Sequence, residues 1–205
     1  MSYNIKIIKK QSYKTNTWSG GKTTQLYIYP ENSSYESRDF KWRISSAIVE
    51  HDESSFTKLQ EVERQLMVID GKLLLKHKNH HEITLNKFDV DSFYGNWDTR
   101  SYGKATDFNL MTNKGCSGKL EHINLKSKVF IEDKENIDKS NYRYIFNTLY
   151  SLNGNFNIEL ESGKLLNIDE GDLVIVKKRN NCFQKVKLIN QLDNSIDIIK
   201  STIYY

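Results

Sequence analysis

The chain has 205 residues, enough for one large domain or two small ones. Thirty Lys and Arg against 26 Asp and Glu leave a net charge of +4 with histidines neutral, and the basic residues are scattered, which argues against a nucleic-acid groove. Cys116 and Cys182 show no CxxC spacing, no apolar run nears the ~20 residues of a membrane helix, and Met1-Ser2-Tyr3-Asn4-Ile5-Lys6 has no apolar signal core, so a cytoplasmic protein with neither disulfide framework nor zinc site is expected.

Trp18-Ser19-Gly20-Gly21-Lys22-Thr23 leads into Thr24-Gln25-Leu26-Tyr27-Ile28-Tyr29, which alternates like a strand. Gly21-Lys22-Thr23 mimics the end of a phosphate loop, but that motif needs Gly where Asn16 stands, and a helix afterwards. Gly20-Gly21 is read instead as a sharp backbone turn beside Trp18. Trp42-Arg43-Ile44-Ser45-Ser46-Ala47-Ile48 is a second strand. Trp42, Ile44, Ser46 and Ile48 share one face and Arg43, Ser45 and Ala47 the other. The faces are too alike in bulk to say which lines an interior.

Further along, Ser54–Leu66 and Glu132–Tyr142 are each expected to hold a turn or two of helix. Asp70-Gly71, Asn153-Gly154 and Glu161-Ser162-Gly163 read as hairpin signals. His77, His80 and His81 fall in the hairpin after Gly71, where side chains fan into water, and His51 and His122 are isolated. Phe93, Tyr94 and Trp97 could floor a pocket or simply pack. In Asp107-Phe108-Asn109-Leu110-Met111, a polar central strand, Asp107 and Asn109 share a face. Asn155–Leu160 and Lys185–Leu188 alternate without a break.

The whole chain therefore reads as all-β, and it repeats. An offset of 83 residues lays Val68-Ile69-Asp70-Gly71-Lys72-Leu73 on Ser151-Leu152-Asn153-Gly154-Asn155-Phe156, Leu85 on Ile168, and Asp89-Val90 on Asp172-Leu173. Two antiparallel barrels or sandwiches are expected, 1–130 and 131–205, with strands exchanged between them and a seam at Ile131–Asn141.

These segments resemble the HutD/Ves family of the RmlC-like cupin superfamily. The resemblance rests on Thr17-Trp18-Ser19-Gly20-Gly21-Lys22-Thr23, Trp42-Arg43-Ile44-Ser45-Ser46-Ala47, Phe56, Glu63-Arg64, Val68-Ile69-Asp70-Gly71, Phe93-Tyr94-Gly95 and Asp107-Phe108-Asn109-Leu110-Met111-Thr112, covering residues 15–115. It implies a bicupin, two antiparallel jelly-roll β-barrels arising from the internal repeat. It also implies a metal-free protein, linked in some bacteria to histidine utilisation and in others to stress, with a binding or regulatory role toward a small anionic metabolite. The chain departs from the family pattern at Ser19, where Lys is frequent, and at Thr57, where Ser is frequent.

Five residues are the expected ligand-binding set: Trp18, Arg43, Arg64, Asp107 and Asn109. Arg43 or Arg64 would offer a planar fork of donors to a carboxylate, Asn109 would hydrogen-bond it and Trp18 would cover it. The same arginines could instead brace Asp107 internally, and both readings stay open. The strand before Gly71 carries no histidine, so no metal and no cofactor are expected. Catalytic residues are not assigned. The partner expected is the small anionic metabolite, without nucleic acid or membrane; a homodimer is left open. The alternatives are a metal-independent isomerase or epimerase and a non-catalytic interaction module.

Overall fold

The computed structural model describes residues 3–131, 142–180 and 186–205, with the side chain of residue 131 excepted. The helical turn expected at Glu132–Tyr142 and the seam expected at Ile131–Asn141 fall on residues 132–141, outside the described ones, as does Cys182. Cys116 is a free, partly buried thiol. No helix of the described residues is long and apolar enough to cross a membrane.

The chain divides into two compact units, residues 13–120 and residues 1–12 with 121–205. This departs from the expected boundary at 130/131. The first strand, β1 (Tyr3–Ile8), pairs antiparallel with the strand at Leu173–Arg179, so the N-terminal segment belongs with the later half.

In the unit of residues 13–120 the strands are β2 (Lys14–Trp18), β3 (Gly21–Tyr29), β4 (Trp42–Val49), β5 (Glu53–Ser55), β6 (Val62–Gly71), β7 (Leu73–His77), β8 (Glu82–Leu85), β9 (Val90–Tyr94), β10 (Thr99–Tyr102) and β11 (Ala105–Asn113). They form a six-stranded sheet, β2-β3-β4-β11-β6-β9, and a four-stranded sheet, β5-β10-β7-β8. Leu66 and Val68 from the larger sheet pack with Leu73, Leu75 and Leu85 from the smaller one, all essentially buried. The burial follows the pleat: in β7 the residues alternate buried and half-buried from Leu73 to His77. Each such side chain withdrawn from water is worth about 1.5–3 kcal/mol.

The other unit repeats the plan. After β12 (Ser117–Leu125), which begins in the first unit, come β13 (Lys128–Ile131), β14 (Tyr144–Ser151), β15 (Phe156–Glu159), β16 (Leu165–Ile168), β17 (Leu173–Arg179), β18 (Val186–Ile189) and β19 (Ile196–Tyr204). Its sheets are β1-β17-β14-β19-β12 and β13-β18-β15-β16. Strands β14 to β17 stand to one another as β6 to β9 do, and the offset of 83 carries β8 onto β16 residue for residue. Leu149, Phe156, Ile158, Ile168, Val174 and Val176 build this unit's own core. The all-β, two-jelly-roll architecture with an internal repeat is therefore what the chain adopts.

Three local expectations are corrected. Asp70-Gly71 and Asn153-Gly154 are not hairpins. β6 and β7 lie in different sheets, as do β14 and β15, so each glycine turns the chain from one sheet into the other. Gly71 takes φ +80°, and a Cβ there would stand 2.7 Å from the carbonyl oxygen of Lys104. Only Glu161-Ser162-Gly163 joins paired strands, β15 and β16. Third, Ser54–Leu66 holds no helix. The backbone N–H of Phe56 donates to Thr99 O and that of Leu59 to Gly95 O, so these donors are satisfied by neighbouring chain rather than by a helical turn.

Gly71→Ala is expected to destabilise the protein by more than ~2 kcal/mol, since it adds a backbone clash to positive-φ strain. Gly115→Ala, at φ +84° but with nothing within 4 Å of the added Cβ, should cost only about 1 kcal/mol. Urea unfolding of the two variants compares them; equal losses would remove the corner role of Gly71.

Candidate functional site

The larger sheet of the 13–120 unit sets a row of residues across three strands. Met111 on β11 is in register with Arg43 on β4 to one side and Arg64 on β6 to the other. Two strand spacings, about 10 Å, thus separate the two arginine backbones. One pleat along, Asn109 pairs with Ser45, and one further, Asp107 pairs with Ala47. Arg43, Ser45 and Ala47 face a cavity of about 310 Å³ together with Arg64, Asp107 and Asn109. This settles which face of β4 lines the interior: Trp42 and Ile44, both fully buried, belong to the opposite face.

Trp18, at the end of β2, completes the set at the rim. It is partly exposed, and its indole Nε1–H donates to Thr23 Oγ1 at 3.1 Å. Its ring passes so close to Gly20 that a Cβ there would fall 2.0 Å from Cζ3. All five expected residues therefore line one cavity. Phe93, Tyr94 and Trp97 do not. Phe93 is core, and Tyr94 is half exposed.

The two arginines are satisfied very differently. Arg43 donates from Nε to Gln25 Oε1 and from a terminal nitrogen to Ser45 Oγ, both at 2.9 Å, and its guanidinium lies 4.5 Å from the centre of the Tyr35 ring. Burial still lowers its basicity. Arg64 lies against the Phe56 and Phe93 rings, at 4.7 and 5.2 Å, and its buried Nε has no hydrogen-bond partner among the described residues. Desolvation pulls its pKa down to about 10, against the attraction of Tyr35 and Asp107.

Asp107 is 3% exposed, and its Oδ1 has no hydrogen-bond partner among the described residues. Burial pushes its carboxyl up to about 7, opposed by Arg64 through space and by a backbone hydrogen bond from Ala47. Neither arginine reaches it as an ion pair, so the internal brace is not formed among the described residues. Asn109 Oδ1, Ser54 Oγ and Ser101 Oγ are likewise buried on the cavity without partners. Five unpartnered polar atoms facing one cavity are a set a polar ligand would satisfy.

Sequence reading missed several of these groups. Ser45 shares the alternating face of Arg43 and was legible there. Gln25 was obscured because β3 shifts register between Gln25 and Tyr27. Ser54 and Ser101 carry no signal in a single sequence; only the pairing of β5 with β10, Ser54 opposite Ser101, brings them together.

Among the described residues the cavity lining holds no histidine or cysteine. The imidazole set that suits transition metals in such barrels does not fit it. The histidines lie elsewhere, and two expectations for them fail. His77 is not solvated: it continues the inward alternation of Leu73 and Leu75 and is 3% exposed. His122, expected to be isolated, sits 2.8 Å from Asp197.

An all-β chain of two jelly rolls with a polar cavity in one is a bicupin. It is similar over its whole length to solved structures of that fold. A conserved Pseudomonas aeruginosa protein of unknown function shares 15% identity at TM-score 0.79, each chain covered to 98%. HutD from Pseudomonas fluorescens shares 16% at TM-score 0.69, covering 97% of this chain and 98% of that one. A formate complex of Lactobacillus farciminis oxalate decarboxylase shares 7% at TM-score 0.61, covering 96% and 85%. No curated protein sequence matches. The HutD family model matches residues 10–192, and the chain belongs to the HutD family.

The buried carboxyl makes a testable difference to stability. Between its ordinary 3.8 and about 7, folded Asp107 holds a proton that the unfolded chain has released. That contribution is fully present below the unfolded value and is lost as pH rises through about 7. Asp107→Asn should therefore lose less stability than the parent between acid and mildly alkaline pH, and should be the more stable of the two at the alkaline end. Parallel melting-temperature curves would show that the carboxyl is not held in this state.

Proposed function

We propose that the cavity of residues 13–120 binds a small carboxylate metabolite without a metal ion, in a regulatory role linked to histidine utilisation. The observation that carries this reading is the buried guanidinium of Arg64, flanked by two phenyl rings, with an unpartnered Nε and no carboxylate ion-paired to it among the described residues. A ligand carboxylate would supply the missing charge and match the planar fork of donors. Asn109 would hydrogen-bond it, Arg43 would add positive potential from a fixed position, and Trp18 would cover the mouth. At about 310 Å³ the cavity is at the small end of ligand sites. The fold adds an analogy only. The oxalate decarboxylase is described as a formate complex, and vicilin from Solanum melongena, 9% identical at TM-score 0.65 and covering 96% and 84%, is described with different anionic ligands in structurally similar pockets. The link to histidine utilisation rests on family membership.

A second reading, a metal-independent isomerase or epimerase, draws on Asp107. A carboxyl held near 7 is suited to move a proton at neutral pH. Turnover of a candidate acid that follows this titration and disappears in Asp107→Asn would favour it. An interaction module with a vestigial cavity is disfavoured by the cavity's volume.

Thermal unfolding against histidine-pathway acids, including urocanate and formylglutamate, tests the binding reading. A ligand at ~100 times its Kd adds about 2.7 kcal/mol, or roughly 5–10 °C for a chain of this size. Arg64→Met should melt no lower than the parent, because it removes an unpaired buried charge, and should lose the ligand shift. An undiminished shift in Arg64→Met, or no shift with any acid, contradicts the assignment.

A further inference from the structure

Behind the Arg64 wall lies a second cluster of polar groups that the cavity does not use. β7 ends in the buried His77, β9 carries the buried Asp91, and His81 closes the loop between β7 and β8. His77 Nε2 lies 2.8 Å from Asp91 Oδ2, and His81 Nε2 lies 3.0 Å from Asp91 Oδ1. Two imidazoles thus address the two oxygens of one carboxylate. On the far side of the His77 ring, Nδ1 is 2.8 Å from Thr99 Oγ1, its cross-strand neighbour on β10. Phe93 packs on His77 at 4.6 Å, and Trp97 meets His77 and His81 edge-on at 5.5 and 5.9 Å.

Charge makes this cluster incomplete as a brace. Asp91 is 6% exposed, and its only ion-pair partners among the described residues are these two histidines. The carboxylate therefore has hydrogen-bonding imidazoles but no Lys or Arg against it among the described residues, a place that a cation would fill.

We infer that His77, His81 and Asp91 form a binding site for a divalent transition-metal ion of the zinc class, which clamps the β7–β8 hairpin to β9. Two imidazole nitrogens and one carboxylate oxygen are a donor set that zinc and its borderline neighbours accept. Donors on a tetrahedral ion with bonds near 2.0–2.1 Å stand about 3.3 Å apart. The two Nε2–carboxylate distances are a few tenths of an ångström shorter, and the three donor atoms lie within 4.8 Å of one another. The remaining closure falls to His81, whose side chain is 39% exposed on a loop and can swing inward. The same exposed side leaves a fourth position to water.

The proton balance is simple. A neutral His77 that donates from Nε2 to Asp91 would move that proton to Nδ1, where Thr99 Oγ1 accepts it, freeing the Nε2 lone pair for the ion. Thr99 is thus a positioning residue that fixes the ligating tautomer. The site is separate from the cavity. The Phe93 ring stands between them, with Arg64 5.2 Å and His77 4.6 Å from it.

The experiment uses the full chain, stripped with chelator, and titrates Zn²⁺ by calorimetry and Co²⁺ by visible absorption. One equivalent should bind and raise the melting temperature, Co²⁺ should show the intense absorption of a four- or five-coordinate nitrogen–oxygen site, and Trp97 emission should change. His81→Ala, a substitution at a half-exposed loop position, and Asp91→Asn, which keeps hydrogen-bonding capacity, should each weaken binding by more than the roughly 10–100-fold that a lost outer-shell partner costs. Thr99→Val should fall within that lower range. No binding of Zn²⁺ or Co²⁺ overturns the proposal. Affinity unchanged in both His81→Ala and Asp91→Asn overturns it equally, because the ion would then sit elsewhere.

Discussion

Arg64 leaves β6 on the inward face, where the next inward residues, Leu66 and Val68, are fully buried core. Taking a guanidinium to such a place costs several kcal/mol unless a charge meets it. The Phe56 and Phe93 rings return part of this, about 0.5–2 kcal/mol each. What is left appears as the fall of its pKa to about 10. Arg43, in the same row two strands away, shows how the fold treats an arginine meant to stay put, with Gln25, Ser45 and Tyr35 holding it on several sides. The protein satisfies one arginine and leaves the other facing a cavity. Asp107 follows from the same arrangement: burial raises its carboxyl to about 7, and Arg64, near enough to act through space but not paired with it, only partly opposes that rise.

The fold makes this arrangement stiff. Each of the three central strands is paired on both sides, and the row of Arg43, Met111 and Arg64 is fixed by backbone register rather than by side-chain choice. A one-residue slip in β11 would turn Asp107 and Asn109 out of the cavity and Phe108 into it. The strand shifts register between Thr106 and Asp107, just where the chain meets the Gly71 corner. Bulges at such places re-aim side chains. The same corner recurs at Gly154, at φ +77°, but that unit has its own apolar core there, with Phe156 and Ile158 on β15. The repeat preserves strand order and corner glycine.

Much of this was legible in the sequence because strand alternation carries it. The faces of Trp42–Ile48 and Asp107–Met111 were divided correctly by period two, and the 83-residue offset foresaw four consecutive strands of each jelly roll. The errors share a cause, which is that pairing is non-local. Asp70-Gly71 has the composition of a hairpin, and nothing local says that the following strand joins another sheet. Phe56, Leu59 and Val62 recur at helical spacing, yet their backbone partners, Thr99 for the first and Gly95 for the other two, lie far along the chain on neighbouring segments. His77 stands beside a polar turn in sequence, but the alternation Leu73, Leu75, His77 points it inward. Ser54 and Ser101, 47 residues apart in sequence, meet only through the β5–β10 pairing.

The most direct measurement is on Arg64 itself. In ¹⁵N-labelled protein the Nε–H resonance of Arg64, assigned by its loss in Arg64→Met, can be followed while acetate or acetamide is added at matched ionic strength. A saturable shift is expected with the carboxylate and none with the neutral amide, with the Arg43 resonance moving less because its Nε already donates to Gln25. An Arg64 resonance indifferent to acetate, or shifted equally by acetamide, would contradict it.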